Sequence, residues 1–356
     1  MQKQCKSYRG VDELDFDLTT NRSDLSAYIS SIESIRLKET DDYVLGRIIK
    51  VDIIEDMIYL IDNPGAKLDK TTIYKFDKQG NPVGKFKNIG VGPNEYIEIF
   101  DFDINEKQKE ITLLCVPPKL ITLDMDLNIK KELILEQFYT QIASSDSVIF
   151  LYSYHASCLD KLENGTISNV MTFKEPSMGI VNTPGSDFSF FRNDNSVYFQ
   201  PYLDNEIYHI SNGYIKLFKN IYYENQIKSA AFYKNTYVLD ITIEDRGKYF
   251  LPQINYMFEV DKGLRIGYVW GFEHKMFFAN NDGTSINYTN GFLRGNISPV
   301  SRNGYLFAGL DIDHYDFDAE YTIESHKGID FKNKLSKAEL QEKDNNNPII
   351  LLYKLK

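Results

Sequence analysis

The chain is poor in the residues that announce chemistry. Among 356 residues there are one Trp, three Cys and five His. The histidines, His155, His209, His274, His314 and His326, form no His-x-x-x-His pair, and none stands near a cysteine at zinc spacing. No Gly-x-Ser-x-Gly elbow is present, and no Ser/His/Asp set can be assembled. No catalytic residue, metal or cofactor is therefore expected. Nothing approaches the ~20 apolar residues of a membrane-spanning helix. The polar start, "MQKQCKSYRG", has no apolar signal segment and reads as a trimmed mature end. Positive charge is also short: 40 Lys and Arg against 51 Asp and Glu leave a formal charge of −11. Binding phosphates needs a basic face, so nucleic acid and a bare anionic membrane are not expected partners. Of the cysteines, Cys115 lies in the apolar run "ITLLCV" and reads as a small buried hydrophobe. Cys158 falls in a second strand-like run, and spacing alone leaves a Cys115–Cys158 disulfide open.

What is abundant is aromatic and β-branched residue types in short runs. Tyr (25) and Phe (23) suit broad interfaces between stacked sheets. The clearest unit is "RIIKVDI", "MIYLID", "TTIYKFD" and "PVGKFKN", between Arg47 and Asn88. These are four strands punctuated by turn residues. The plan recurs at Ile99–Leu135, Thr140–Phe173, Phe188–Asn220 and Ile254–Asn290, and starts again at Asn296–Leu310. Turns between third and fourth strands repeat as "DKQGN", "LENGT", "ISNGY" and "NNDGT", supplying the positive φ of tight hairpins. One such unit cannot bury both faces of its sheet and must stack on its neighbours. The expected fold is all-β, a six-bladed β-propeller of four-stranded blades.

The sixth unit lacks its outer strands. Two orphans complete it: Ile349–Lys354 as third strand and Ile32–Leu37 as fourth, so that the chain ends close the ring and cover its edges. Residues 1–31 are then a flexible tail, and 32–356 a single domain interrupted at Ile221–Pro252 and Asp311–Asn347. The second insertion carries a short helix signal, with Ser336 as N-cap and Glu339 three residues on.

The segments "IRLKETDDYVLGRIIKV" (Ile35–Val51), "KFDKQGNPVGKFKNIGVGPNEY" (Lys75–Tyr96) and "DNNNPIILLYKLK" (Asp344–Lys356) together resemble the six-bladed β-propeller lipoproteins of Bacteroidetes-type bacteria. The resemblance runs from about Ile32 to Lys356 and includes that family's Gly-x-Gly-Pro-x-Glu-Tyr loop at Gly90–Tyr96. It implies export, a lipidated N-terminal cysteine and tethering to the outer membrane. It also implies work beside importers of glycans or peptides. Gln4, preceding Cys5, departs from the small residue a lipobox requires. Either the lipidated cysteine lay upstream, or Cys5 is an ordinary residue.

Two function classes follow. The first is a non-catalytic envelope module, monomeric, that binds a glycan, a peptide or importer components and meets the membrane only through a lipid anchor. The second is a metal-dependent hydrolase, lactonase or lyase acting in the central channel. For the first, the expected ligand face carries the crossover loops and the loops between second and third strands. Its candidates are Glu95, Tyr96, Tyr154, His155, Tyr202, Phe272, His274, Asp311 and Asp313. Each has a plainer reading. Gly90–Tyr96 lacks the Lys-Ser/Thr of a phosphate loop and can be a crossover that Glu95 and Tyr96 pin in place. The aromatics can fill gaps between blades. The carboxylates of "DIDHYDFDAE" (Asp311, Asp313, Asp316, Asp318) do not match a calcium loop and can be a solvated acidic segment. His155 and His274 fall in corresponding loops of different units and could converge, or could simply face solvent.

Overall fold

The structure is a computed structural model. It describes residues 12–15, 21–22, 29–63, 71–153, 155–173, 188–201, 206–222, 253–260, 263–270, 273–280, 285–289, 296–310, 330–332 and 347–356. Among these every regular element is a β-strand. The strands, in chain order, begin with β1 (Asp12–Asp15), β2 (Asn21–Arg22) and β3 (Ile29–Arg36). Three antiparallel meanders follow: β4 (Arg47–Ile54) to β5 (Met57–Asn63), β6 (Ile73–Asp77) and β7 (Pro82–Phe86); β8 (Glu98–Asn105), β9 (Glu110–Val116), β10 (Lys119–Asp124) and β11 (Ile129–Ile134); and β12 (Gln141–Ser145), β13 (Val148–Ser153), β14 (Cys158–Glu163) and β15 (Thr166–Thr172). The next is β16 (Phe190–Asn193), β17 (Ser196–Phe199), β18 (Glu206–Ser211) and β19 (Tyr214–Tyr222), and then β20 (Gln253–Val260), β21 (Gly263–Trp270), β22 (Glu273–Asn280) and β23 (Ser285–Thr289). The last strands are β24 (Asn296–Arg302), β25 (Tyr305–Leu310), β26 (Asp330–Lys332) and β27 (Ile349–Leu355). Four-stranded antiparallel meanders stacked on one another are the building plan of a β-propeller.

The two orphan strands pair as their sequence suggested. β27 runs antiparallel to β25, and β3 antiparallel to β27, with Ile349 opposite Arg36 and Lys354 opposite Ser31. The first and last segments of the chain thus lie in one sheet. Short segments add to the outer edges in parallel: β1 on β19, β2 on β23 and β26 on β3. Two of these lie within the stretch expected to be a flexible tail. They are too short to carry a periodic signal, so only the edge they pair with reveals them.

The inner strands share a device. The ladder shifts register between Ile48 and Lys50 in β4, Ile99 and Asp101 in β8, Ile254 and Tyr256 in β20, and Ile297 and Ser301 in β24. A bulge bends its strand and re-aims the side chains that follow. In β4 and β8 the residues that follow are Lys50 and Asp101, which meet in a buried ion pair where the inner strands come together, here called the axis. At that axis β16 and β24 approach closely enough to pair in parallel, Arg192 opposite Val300 and Asn193 opposite Ser301. The separate sheets expected from the repeat are therefore bridged at this point. The small Ser301 side chain allows it, its hydroxyl donating to the Arg192 carbonyl at 3.2 Å and to Asn193 Oδ1 at 3.1 Å.

Apolar cores fill the spaces between sheets. One, between the first two meanders, gathers Tyr59, Ile61, Ile73, Tyr96, Phe102, Leu113 and Ile121. Another joins the first meander to the strands from both chain ends through Ile35, Leu37, Phe76, Phe307, Ile350 and Leu352. Burying a large apolar side chain contributes about 1.5–3 kcal/mol, so these interfaces are the main cohesive term. Cys115 and Cys158 are both buried free thiols in different meanders, which resolves the pairing left open by spacing. Burial pushes both thiols up and keeps them protonated.

Candidate functional site

The inner strands carry charge where the outer strands carry solvent-facing side chains. Lys50 of β4 donates to Asp101 Oδ1 of β8 at 2.7 Å and to the Phe102 carbonyl at 2.6 Å. Asp101 also accepts from the Phe102 amide at 2.8 Å and, through its second oxygen, from the Ile142 amide of β12 at 3.0 Å. Asp103, two residues on, takes the fork of Arg192 from β16: Nε at 3.1 Å and Nη2 at 2.8 Å. The Ser144 amide and hydroxyl add bonds of 2.7 and 2.5 Å to Asp103. Arg302, at the end of β24, grips Asp52 of β4 through Nε at 2.6 Å and Nη2 at 2.8 Å, and its Nη1 reaches Glu106 at 3.2 Å. Two-pronged pairs of this kind are the strongest and most directional hydrogen bonds a side chain makes.

Three cations and three carboxylates thus neutralise one another along the axis, and none is more than 9% exposed. Burial and partners compete at each group. Burial raises the Asp101 carboxyl, and Lys50 with the Ile142 amide only partly offsets it. Burial also acts on Asp103, but Arg192, Lys50 and Ser144 prevail and hold it below the usual carboxylate range. Burial lowers the Arg302 guanidinium, and Asp52 more than reverses this, so it stays charged. Among the described residues no three His, Cys, Asp or Glu side chains stand together as a cation site.

A polar cleft of about 210 Å³ opens beside this network. Arg192, Arg302 and Ser144 form its floor, and Glu106, Ser196 and Ser211 its wall. The Lys107–Asp146 pair, 2.5 Å apart, stands at the rim. His209 also lines it and stacks on Tyr198, ring centroids 5.1 Å apart. The wall comes from turns between first and second strands and between third and fourth strands. In an antiparallel meander that end lies opposite the crossover loops, so the cleft is on the other face from the one the sequence nominated.

Four of the nominated residues, Glu95, Tyr96, His155 and His274, lie among the described residues. Tyr96 is fully buried and its hydroxyl donates to the Phe86 carbonyl at 3.1 Å. It is a core residue rather than a platform, because the inter-sheet space beside Phe86 takes its ring, centroids 5.8 Å apart. Glu95 turns back into its own loop and accepts from the Gly92 amide at 2.8 Å. A Cβ on Gly90 would stand 2.0 Å from Glu95 Oε2, so a larger residue there would push the Glu95 carboxylate off its place in the loop. Lys119 ties the loop down through the Gly92 carbonyl at 3.0 Å. The crossover reading of Gly90–Tyr96, pinned by Glu95 and Tyr96, therefore holds. His155 is exposed beside Phe138, centroids 6.3 Å apart. His274 sits in β22 opposite Val269, one residue inside the strand rather than in the loop before it. Tyr154, Tyr202, Phe272, Asp311 and Asp313 lie outside the described residues, as do Cys5, His314, Asp316, Asp318, His326, the Ser336–Glu339 helix signal and most of both insertions.

The axial residues escaped sequence reasoning. "RIIKVDII" and "EIFDFDIN" alternate charged and apolar positions, as a half-exposed strand does. Here both faces are buried, one against the next sheet and one at the axis. The usable signal was recurrence: Lys50 and Asp52 in the first unit and Asp101 and Asp103 in the second stand at matching places in the first strand.

No functionally curated protein matches the chain. Among solved structures it is similar to a predicted exported protein of Bacteroides fragilis NCTC 9343, with a TM-score of 0.74 and 16% identity, covering 97% of this chain and 99% of that one. It is also similar to a member of the DUF4221 family from Bacteroides vulgatus ATCC 8482, with a TM-score of 0.51 and 12% identity over 92% and 97% of the two chains. At such identities these likenesses concern the fold alone. The sequence profile of DUF4934, a domain of unknown function, matches residues 13–354, so the chain belongs to that family.

Proposed function

We propose that this DUF4934 protein is a non-catalytic binding or scaffold module of the cell envelope. It is a six-bladed propeller, its last blade closed by β3 and β27. It is exported, held at the outer membrane by a lipid anchor, and assists uptake of a glycan or peptide. The observation that carries this reading is the axis. Lys50–Asp101, Arg192–Asp103 and Arg302–Asp52 engage one another across four inner strands, so the centre works as a hub and the loop faces are left for recognition. The likeness to a predicted exported protein of Bacteroides fragilis supports the location. A metal-dependent hydrolase, lactonase or lyase in the channel is not favoured, because a cation recruited by Asp52, Asp101 or Asp103 would have to displace an arginine or lysine already bonded there.

The crossover face is where a macromolecular partner is met in this reading. His155 and Phe138 are its described aromatics, and Phe138 packs edge-on against Phe100 at 5.0 Å. The test is expression of the full gene in a Bacteroides host with fatty-acid labelling, outer-membrane fractionation and screening of the purified protein on glycan and peptide arrays. Label, outer-membrane recovery and array binding without turnover are expected. A cytosolic, unlabelled protein, or one that converts an arrayed ligand, contradicts the reading.

A further inference from the structure

The cleft opposite the crossover face has the attributes of a small, built recognition site. Its floor is rigid. Arg192 is held at Nε and Nη2 by Asp103, and Nη2 also donates to the Ser144 carbonyl at 2.7 Å, so the guanidinium cannot swing. Arg302 is fixed in the same manner by Asp52 and also donates to the Asp194 carbonyl at 3.4 Å. Both side chains are almost wholly buried, at 9% and 4% exposure. Groups locked by a supporting shell of hydrogen bonds are pre-organised for a ligand.

The chemistry of the lining selects the ligand class. An anion would meet two guanidinium edges, but Glu106 stands 3.2 Å from Arg302 Nη1 and Asp146 sits at the rim. A cation would meet those two carboxylates beside three cationic side chains. The charges cancel in place, and the residues that line the space carry both donors and acceptors: guanidinium N–H, the Ser196 and Ser211 hydroxyls and the Glu106 carboxylate. Drug-sized ligands occupy pockets of about 300–1,000 Å³, so 210 Å³ takes a smaller body, about one ring. We infer that this cleft binds a neutral polyhydroxylated ligand the size of a single sugar ring, free or as the terminus of a glycan, through Arg192, Arg302, Ser196, Ser211 and Glu106. The inference adds to the binding-module reading a small-ligand site on the face opposite the one proposed for a macromolecular partner, and it rests on that reading.

Ser196 and Ser211 are partly exposed at strand ends, so a tryptophan at either fills the cleft without entering a core. The full chain is titrated by saturation-transfer NMR with methyl hexosides, with inorganic phosphate and with a neutral tripeptide. Ser196→Trp, Ser211→Trp, Lys130→Ala and, on the opposite face, His155→Ala are titrated alongside, each checked by its melting temperature. At least one methyl hexoside is expected to bind. Each tryptophan variant that melts like the wild type should weaken it at least about tenfold, while Lys130→Ala, a control at the outer edge of β11, leaves it unchanged. Three results overturn the site: no hexoside binds, phosphate or the tripeptide binds more tightly, or the tryptophan variants bind as wild type. Hexoside binding that is lost only in His155→Ala would keep the binding-module reading and move its ligand to the crossover face. Failure of every array and every hexoside would remove both.

Discussion

In the second meander the first and last strands do opposite work. Inner strand β8 buries all but its first and third residues, charges included, whereas outer strand β11 leaves Ile129, Lys130, Lys131 and Ile134 exposed. The ion pairs differ accordingly. Arg192–Asp103 is 9% and 5% exposed, and Lys130–Glu110, reaching the outer edge, is 43% and 16% exposed. A buried pair that loses one partner leaves a charge in low dielectric, while an exposed pair is screened by water. The comparison teaches that charge in this fold is structural at the centre and incidental at the periphery.

The largest effect should come from breaking the centre. Arg302→Ala leaves Asp52 without its guanidinium and should lower the unfolding free energy by about 3–5 kcal/mol in urea denaturation. Lys130→Ala, at the periphery, should stay within about 0.5 kcal/mol of wild type. If the two variants were equally stable, the distinction between centre and periphery would fail.

A pair of glycines sharpens the same contrast. Gly80 and Gly165 both lie in turns between third and fourth strands, at φ of 75° and 78°. A Cβ at Gly80 would stand 1.9 Å from the Arg36 carbonyl oxygen, where the first meander meets β3, whereas at Gly165 there is open space. Gly165→Ala should therefore lose only the left-handed backbone term, about 1–2 kcal/mol. Gly80→Ala should lose more, because the joint between the first meander and β3 must also shift. Thermal melts of the two variants, with Gly80→Ala the lower, check this.

Tyr96 offers a smaller test of its place in the core. Tyr96→Phe keeps the ring and removes only the bond to the Phe86 carbonyl, so it should lower stability by about 1 kcal/mol. Binding on glycan or peptide arrays should not change.

How far the sequence could be read follows from the same division. Turn chemistry was plain where the left-handed residue is local: Asn164–Gly165 and Asn212–Gly213 both have positive φ. The joined chain ends were readable because two strong strands had no partner in their own neighbourhood, and the structure pairs them over Ile349–Lys354. The axis was not readable, because alternation reports that a strand has two unlike faces and not whether the polar one meets water. Tyr96 kept two readings for a related reason: a tyrosine in a glycine-rich loop can meet a ligand or pin the loop, and only tertiary packing decides where its ring goes. The cleft draws its lining from separate meanders, so no local window of sequence contains it.

Acid should show the smallest difference. Asn128, through its side chain and its amide, holds the Asp124 carboxyl below the usual range. Its folded value is lower than its unfolded one. The stability it contributes is therefore present above the unfolded value, near 3.9, and lost as pH falls through the folded one. Asp103 behaves alike at the centre, with Arg192 and Ser144 outweighing burial. Asp124→Asn should flatten the fall of stability between about pH 4 and 2 only slightly, because Asp103 continues to titrate.

The most direct measurement is a double-mutant cycle on Arg192 and Asp103, with Lys130 and Glu110 as the peripheral reference. Removing either central partner should be strongly destabilising and removing both much less than the sum, giving a coupling energy of several kcal/mol against less than about 1 kcal/mol for the reference pair. Equal coupling at the two sites would contradict the account of a charge-paired hub.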